Sequence, residues 1–243
     1  MSLVRPRGFK KTVSFTVQPT ESQEEEIHPS VSIPGLYTSP LLLPMHHLLI
    51  IIGLFKDGLT QNPLRVMVKG ALVLLAVQLV YGYVLSVVSG ADSNKEKRGK
   101  KQSRNFSSHV AKVLVATLVS LLFTPVAFVV LVLFGAPLYG YLAETYILGV
   151  HLSLMIVQPL LIIFGMDFEQ LYSVAKSATV FKLIFTNPIL CSSFFCVLGT
   201  WLGVVPIPLD WDRPWQQWPI TLLAGGYGGC VLGLLIGYIS QYL

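Results

Sequence analysis

The chain has 243 residues, of which 53% are hydrophobic and only 12% are charged, and its net charge is +5. A soluble domain has about 25% charged residues, so this chain has too few charges to cover a surface that faces water. Its mean hydropathy of +0.66 and its apolar blocks instead indicate helices that cross a bilayer core about 30 Å thick. Because backbone polar groups in lipid must pair within their own segment, the sequence predicts an all-α transmembrane bundle.

The polar segment at 1–35 comes first and is predicted to be a disordered tail. It has basic residues but no apolar core, so it does not resemble a signal peptide. The remainder, 36–243, is predicted to be one polytopic transmembrane domain with six spans, the third of which is kinked or broken near Pro125. The apolar blocks that predict these spans lie at 36–55, 66–89, 109–134, 138–165, 188–207 and 217–240.

Lys and Arg residues are distributed unevenly between the two sides of the predicted bundle. Most of them fall in the tail and in a basic loop at 90–108, which are on the same side. Because positive charge favours the cytosolic side, both termini are predicted to be cytosolic, and the loop at 206–219 is predicted to be lumenal. This placement explains the net charge by topology, so no nucleic-acid partner is expected.

Polar residues form a stripe in the fourth predicted span. Glu144, His151 and Gln158 are seven residues apart, nearly two helical turns, and therefore share one helix face. An ionisable residue within a span normally faces the bundle interior or a cavity. Two interpretations stay open: a proton relay or lipid-headgroup site, and interhelical hydrogen bonds that fix the packing.

Glycines recur every fourth residue in the last two predicted spans. This spacing places them on one helix face, where two backbones can approach closely. It leaves open whether the neighbouring helix belongs to this chain or to another protein. The glycines predicted to pack in this way are Gly199, Gly203, Gly225, Gly229, Gly233 and Gly237.

The lumenal loop at 206–219 is rich in proline and tryptophan. Proline stiffens a loop, and tryptophan prefers the membrane interface, so an interfacial anchor is one interpretation. A recognition surface is the other, because Trp and Arg are frequent interface hot spots. Catalysis ranks third, since two carboxylates and one Arg make a poor metal or general-base site. The residues singled out are Asp210, Trp211, Asp212, Arg213, Trp215 and Trp218.

Two stretches resemble the phosphatidylinositol-glycan biosynthesis class F family. They are FGAPL at 134–138, followed by Glu144 and Thr145, and GTWLGVVPIPLDWDRPWQQWP at 199–219. The resemblance implies a multi-spanning protein of the endoplasmic reticulum that acts in glycosylphosphatidylinositol (GPI) anchor assembly. Members associate with and stabilise the large, metal-dependent enzymes that transfer ethanolamine phosphate onto mannose. The family member itself is a noncatalytic subunit, so no metal or cofactor is expected in this chain.

The resulting hypothesis is a noncatalytic subunit whose lumenal loop contacts a transferase or its lipid substrate. Trp211, Arg213, Trp215 and Trp218 are then the anchors, and Asp210 and Asp212 position Arg213. Two alternatives remain. A lipid transporter or scramblase would use the polar stripe that includes Glu144 and His151, and a small lipid-modifying enzyme would use Asp210 or Asp212.

Overall fold

The computed structural model describes residues 45–96, 106–209 and 211–241. The predicted tail at 1–35, part of the basic loop and Asp210 lie outside the described residues. The described residues form helices and turns without any strand, which confirms the predicted all-α class.

Ten α-helices follow each other along the described chain, interrupted by one π-helical turn and one 3₁₀ turn. The α-helices are α1 (Met45–Lys56), α2 (Pro63–Glu96), α3 (Phe106–Leu122), α4 (Thr124–Leu133), α5 (Leu142–Leu152), α6 (Gln158–Ile163), α7 (Phe168–Lys176), α8 (Val180–Thr186), α9 (Pro188–Leu202) and α10 (Ile220–Ile239). The π-helical turn, Ser153–Val157, joins α5 to α6, and the 3₁₀ turn, Pro214–Gln216, lies between α9 and α10.

Four stretches of the described chain are long and apolar enough to cross a membrane. A fifth is possible if α8 and α9, which meet at an angle of 110°, together form one broken span. The remaining apolar helix, α1, has 12 described residues and begins at the edge of the described range, and the first part of the first predicted span, 36–44, lies outside that range. This arrangement is roughly consistent with the six predicted spans. The four long stretches are Pro63–Ser89, Ser107–Leu133, Leu142–Ile163 and Ile220–Ile239.

Two interruptions within the apolar stretches follow from prolines. Helix α3 ends at Leu122 and α4 begins at Thr124, next to Pro125, where the sequence predicts a kink or a break. Helix α9 begins at Pro188. Proline suits the first turn of a helix, because N–H groups there have no helical partner and proline has no N–H group. Asn187 caps this helix, because its Oδ1 accepts hydrogen bonds from the next two free backbone N–H groups.

Helices α9 and α10 pair through the predicted glycines. A Cβ atom added to Gly199 would overlap the carbonyl oxygen of Gly225, and one added to Gly229 would overlap the carbonyl oxygen of Phe195. The partner of the glycine-rich face is therefore a helix of this same chain. A Cβ atom added to any of the other glycines would also lie too close to the facing helix: Gly203 faces Thr221, Gly233 faces Cys191, and Gly237 faces Pro188.

Helices α1 and α2 form a hairpin at one side of the bundle. Near the turn that joins them, the side chain of Leu54 occupies the space that a Cβ atom at Gly70 would need. Toward the other end of α1, the ring centroids of His46 and Tyr81 lie 4.7 Å apart. These two contacts show that the helices run antiparallel along the whole length of α1.

Candidate functional site

Gln216 holds the two ends of the loop at 206–219 together. Its Nε2 donates hydrogen bonds to the carbonyl oxygens of Pro206, at 2.7 Å, and Leu209, at 3.0 Å. Its Oε1 accepts a hydrogen bond of 2.7 Å from the backbone N–H of Arg213. Because Gln216 is buried, these three bonds are shielded from competing water and give the loop a defined shape.

Trp218 joins the loop to the start of α5. Its Nε1 donates a hydrogen bond of 3.0 Å to Oγ1 of Thr145, whose hydroxyl in turn donates to the carbonyl oxygen of Tyr141. Thr145 is completely buried, so this contact lies inside the bundle. Trp218 therefore points toward the protein, although the sequence places it among the residues that bind a partner or lipid.

The remaining aromatic and basic residues of the loop point outward. Trp211, Arg213 and Trp215, which we call the loop face, are all exposed. The ring centroids of the two tryptophans lie 5.9 Å apart. The sequence predicts that Asp210 and Asp212 position Arg213, and Asp210 lies outside the described residues. In the described part of the loop, Arg213 is ordered through its backbone bond to Gln216 and forms no ion pair with Asp212.

His151 joins three helices in the centre of the bundle. Its Nε2 lies 3.0 Å from the carbonyl oxygen of Met67 in α2, and its Nδ1 lies 2.8 Å from the hydroxyl oxygen of Tyr227 in α10. Because a carbonyl oxygen only accepts hydrogen bonds, Nε2 is the donor in the first contact. In the neutral imidazole, Nδ1 then accepts from the Tyr227 hydroxyl. Both ring nitrogens are thus occupied in holding α2, α5 and α10 together.

Gln158 makes the second polar connection of Leu142–Ile163, the stretch that corresponds to the fourth predicted span. Its Nε2 donates to Oγ1 of Thr117 in α3, at 2.8 Å, and to the carbonyl oxygen of Gln78 in α2, at 3.3 Å. His151 and Gln158 therefore both face α2, as the predicted stripe requires. Glu144, the third residue of the stripe, is half-buried in the first turn of α5.

The π-helical turn between His151 and Gln158 explains a contact that the sequence analysis missed. The N–H of Gln158 bonds to the carbonyl oxygen of Ser153, five residues earlier, and the next residue, Pro159, has no N–H. The carbonyl oxygen of Leu154 is consequently left without a helical partner. Nε2 of Gln78 donates to it at 3.0 Å and so satisfies a backbone group that lipid cannot.

Two adjacent histidines at the start of α1 lie against this polar centre. His47 is 2% exposed, and its ring centroid lies 5.9 Å from that of Tyr227. The ring centroids of His46 and His47 are 4.0 Å apart. Nε2 of His46 and both ring nitrogens of His47 have no hydrogen-bond partner among the described residues. These histidines pack within the bundle, and no spacing or motif in the sequence groups them with His151.

Replacing Gln216 by Leu should loosen the loop while leaving the helices in place. The substitution removes three hydrogen bonds at nearly constant side-chain size, and we expect a local loss of about 1–2 kcal/mol. The measurement is the rate of proteolysis within 206–219 in mild detergent, which should rise several-fold. Gln217→Leu is the matched control, because Gln217 is exposed. Equal cleavage of the two variants would contradict the anchoring role of Gln216.

Comparisons with known proteins identify the family. The sequence profile of the "GPI biosynthesis protein family Pig-F" matches residues 42–238. "Glycosylphosphatidylinositol anchor biosynthesis protein 11" of Debaryomyces hansenii is 42% identical over 97% of this chain and 98% of that protein. The protein of the same name from Candida albicans is 36% identical over 97% of both chains.

The chain was also compared with a human protein and with the solved structures. The human "GPI ethanolamine phosphate transferase, stabilizing subunit" is 38% identical over 47% of this chain and 52% of that protein. No solved structure matches this chain. The profile match covers most of the sequence, and the Debaryomyces hansenii protein aligns over nearly its whole length. The chain therefore belongs to the GPI biosynthesis protein family Pig-F.

Proposed function

We propose that this chain is a noncatalytic membrane subunit that binds and stabilises a GPI ethanolamine-phosphate transferase. It thereby acts in the addition of ethanolamine phosphate to mannose during GPI-anchor biosynthesis. Family membership and the name of the human relative support this proposal. The chain lies in the membrane of the endoplasmic reticulum with both termini in the cytosol, as its distribution of positive charge favours. Any metal used in catalysis is held by the partner enzyme.

The observation that carries the proposal is that the loop at 206–219 has one set of side chains facing the protein and another set facing outward. Gln216 is turned inward and joins the two ends of the loop, and Trp218 fixes the loop to α5. Trp211, Arg213 and Trp215 are instead presented outward. Trp and Arg are the residues most often found at the energetic centre of protein interfaces. A loop that is already ordered also loses little conformational entropy when a partner binds. The loop face therefore suits a docking role.

The alternative of a lipid transporter or scramblase would need the polar stripe of the fourth span to be available for a moving group. Both ring nitrogens of His151 are engaged by neighbouring helices, and Nε2 of Gln158 donates to two groups of α2 and α3. These bonds favour the interpretation in which the stripe fixes the packing. They give the transport alternative no specific support.

The loop face is tested by replacing Trp215 and Arg213 together with Ala. If each residue is a hot spot worth about 2 kcal/mol, we expect recovery of the co-purified transferase to fall at least about tenfold in mild detergent. The melting temperature of the purified chain should fall only slightly, because Arg213 is exposed and Trp215 is 37% exposed.

The matched control replaces Trp201 and Lys182 with Ala. These residues are exposed and of similar chemistry, but they lie on α9 and α8, outside the loop. Full recovery and full activity of the transferase with the loop variant would contradict the proposed interface. A loss of equal size with the control variant would contradict it as well, since the effect would not be specific to the loop face.

A further inference from the structure

A groove of about 320 Å³ runs between α1 and α2. Its floor is apolar and includes Ile50 and Leu54, both almost fully buried. Its rims are apolar too, but Leu49 on α1 and Val73 on α2 are 67% and 53% exposed. The groove is therefore open along the outer surface of the bundle, where a transmembrane protein meets lipid.

One end of the groove carries charges of both signs. Asp57 and Lys69 line this end, and Gly53 lies nearer the middle. The contact between Leu54 and Gly70 brings the turn after α1 to the same level as Lys69. Within the described part of the chain, Asp57 and Lys69 form no ion pair with each other or with another residue. Among the described residues, no charged group therefore competes with a ligand for the carboxylate or the ammonium group.

The depth of these charges matches the headgroup region of a bilayer. Lys69 is six residues from Pro63, the first residue of α2, and this separation corresponds to about 9 Å along the helix axis. A lysine at such a position can extend its ammonium group toward the interface while its methylene groups remain in contact with apolar surface. The charged end therefore faces headgroups, and the apolar remainder extends into the hydrocarbon core.

We propose that this groove binds one zwitterionic phospholipid. An acyl chain lies along the apolar floor, the phosphate contacts Lys69, and the cationic end of the headgroup contacts Asp57. A transmembrane helix is a poorer occupant, because charged side chains are rare within transmembrane segments and such a helix would leave Asp57 and Lys69 without partners. The site is independent of the proposed contact with a transferase, since none of its residues belongs to the loop at 206–219.

The first test fills the groove without disturbing the helices around it. A Cβ atom at Gly53 has no other atom within 4 Å, so Gly53→Phe can extend into the groove. Gly228→Phe is the matched control, because Gly228 on α10 has the same free space but does not line the groove. The full purified chain is titrated with phosphatidylcholine and observed by native mass spectrometry. We expect Gly53→Phe to weaken binding of one lipid at least about tenfold relative to the control.

The second test removes the charges singly. Lys69→Gln and Asp57→Asn should each weaken phosphatidylcholine binding several-fold. Arg65→Gln should not, because Arg65 is exposed on the same helix but does not line the groove. Phosphatidylglycerol, which is anionic and has no cationic end, should bind more weakly than phosphatidylcholine to the unmodified chain.

Three outcomes would overturn the proposal. Equal lipid retention by Gly53→Phe and Gly228→Phe would show that the retained lipid is annular and is not bound in the groove. Phosphatidylglycerol bound as tightly as phosphatidylcholine would remove the role of the charge pair. Loss of co-purified transferase with Gly53→Phe, at unchanged lipid binding, would assign the groove to a protein partner. Melting temperatures of all variants check that each one folds. If Gly53→Phe does not fold, the charge variants Lys69→Gln and Asp57→Asn still test the site.

Discussion

Gly229→Ala is expected to destabilise the folded chain by about 3 kcal/mol or more, a value at the upper end for overpacked sites. The added Cβ atom would overlap the carbonyl oxygen of Phe195, which belongs to the backbone of α9 and cannot rotate away. Helix α9 would have to move as a whole. Because α9 leads directly into the loop at 206–219, the same variant should also lose co-purified transferase.

The neighbouring residue provides the control for this prediction. Gly228 lies next to Gly229 but has no atom within 4 Å of an added Cβ. Gly228→Ala should leave stability unchanged, or raise it by up to about 1 kcal/mol, because Ala favours a helix more than Gly does. The measurement is the melting temperature of both variants by size-exclusion chromatography in mild detergent. Coinciding melting curves would show that α9 and α10 are not in close backbone contact.

His151→Phe is expected to destabilise the bundle by about 2 kcal/mol. The substitution keeps an aromatic ring in a fully buried position but removes the partner of the Tyr227 hydroxyl and a donor to the carbonyl oxygen of Met67. A buried polar group without a partner cannot recover its hydrogen bond from lipid. The loss should therefore be visible as a lower melting temperature of the purified chain.

A double-mutant cycle separates this pairwise contact from general packing. His151→Phe and Tyr227→Phe should be non-additive by at least about 0.6 kcal/mol, the average found for hydrogen bonds between transmembrane helices, and by at most about 1.7 kcal/mol, the largest value found. Tyr146→Phe is the control partner, because Tyr146 is exposed and is not a hydrogen-bond partner of His151. If His151 variants retained full stability but abolished lipid movement by the chain in liposomes, the transport alternative would be favoured instead.

The glycine pattern shows how much of the helix packing could be predicted from the sequence. The spacing of Gly225 and Gly229 correctly indicates a helix face suited to close approach, because the helical period alone determines which residues share a face. Periodicity carries no information about which helix lies opposite, so the sequence leaves a neighbour in another subunit open. The structure resolves this point by placing Gly199 and Phe195 of α9 against that face.

The polar contacts were predicted less completely. Pro159 within an apolar span already implies a backbone carbonyl group without a helical donor, yet it does not identify Gln78, which is 76 residues away from Leu154. Charge alone likewise pointed to the two aspartates as the groups that order Arg213. Asp210 lies outside the described residues, so its predicted role stays a prediction. The structure adds a bond from the backbone N–H of Arg213 to Gln216, which forms because the turn Pro214–Gln216 brings that amide back to the loop backbone, a geometry that residue type does not reveal.

The contact between α9 and α10 also has a consequence for the order in which the bundle assembles. The two helices follow each other in the chain, so joining them costs little loop-closure entropy. Their interface is also the most extensive helix pairing among the described residues. Contacts such as that between Met67 and His151 link distant segments and form more slowly. We therefore expect α9 and α10 to fold first as an autonomous hairpin onto which α2 and α5 later close.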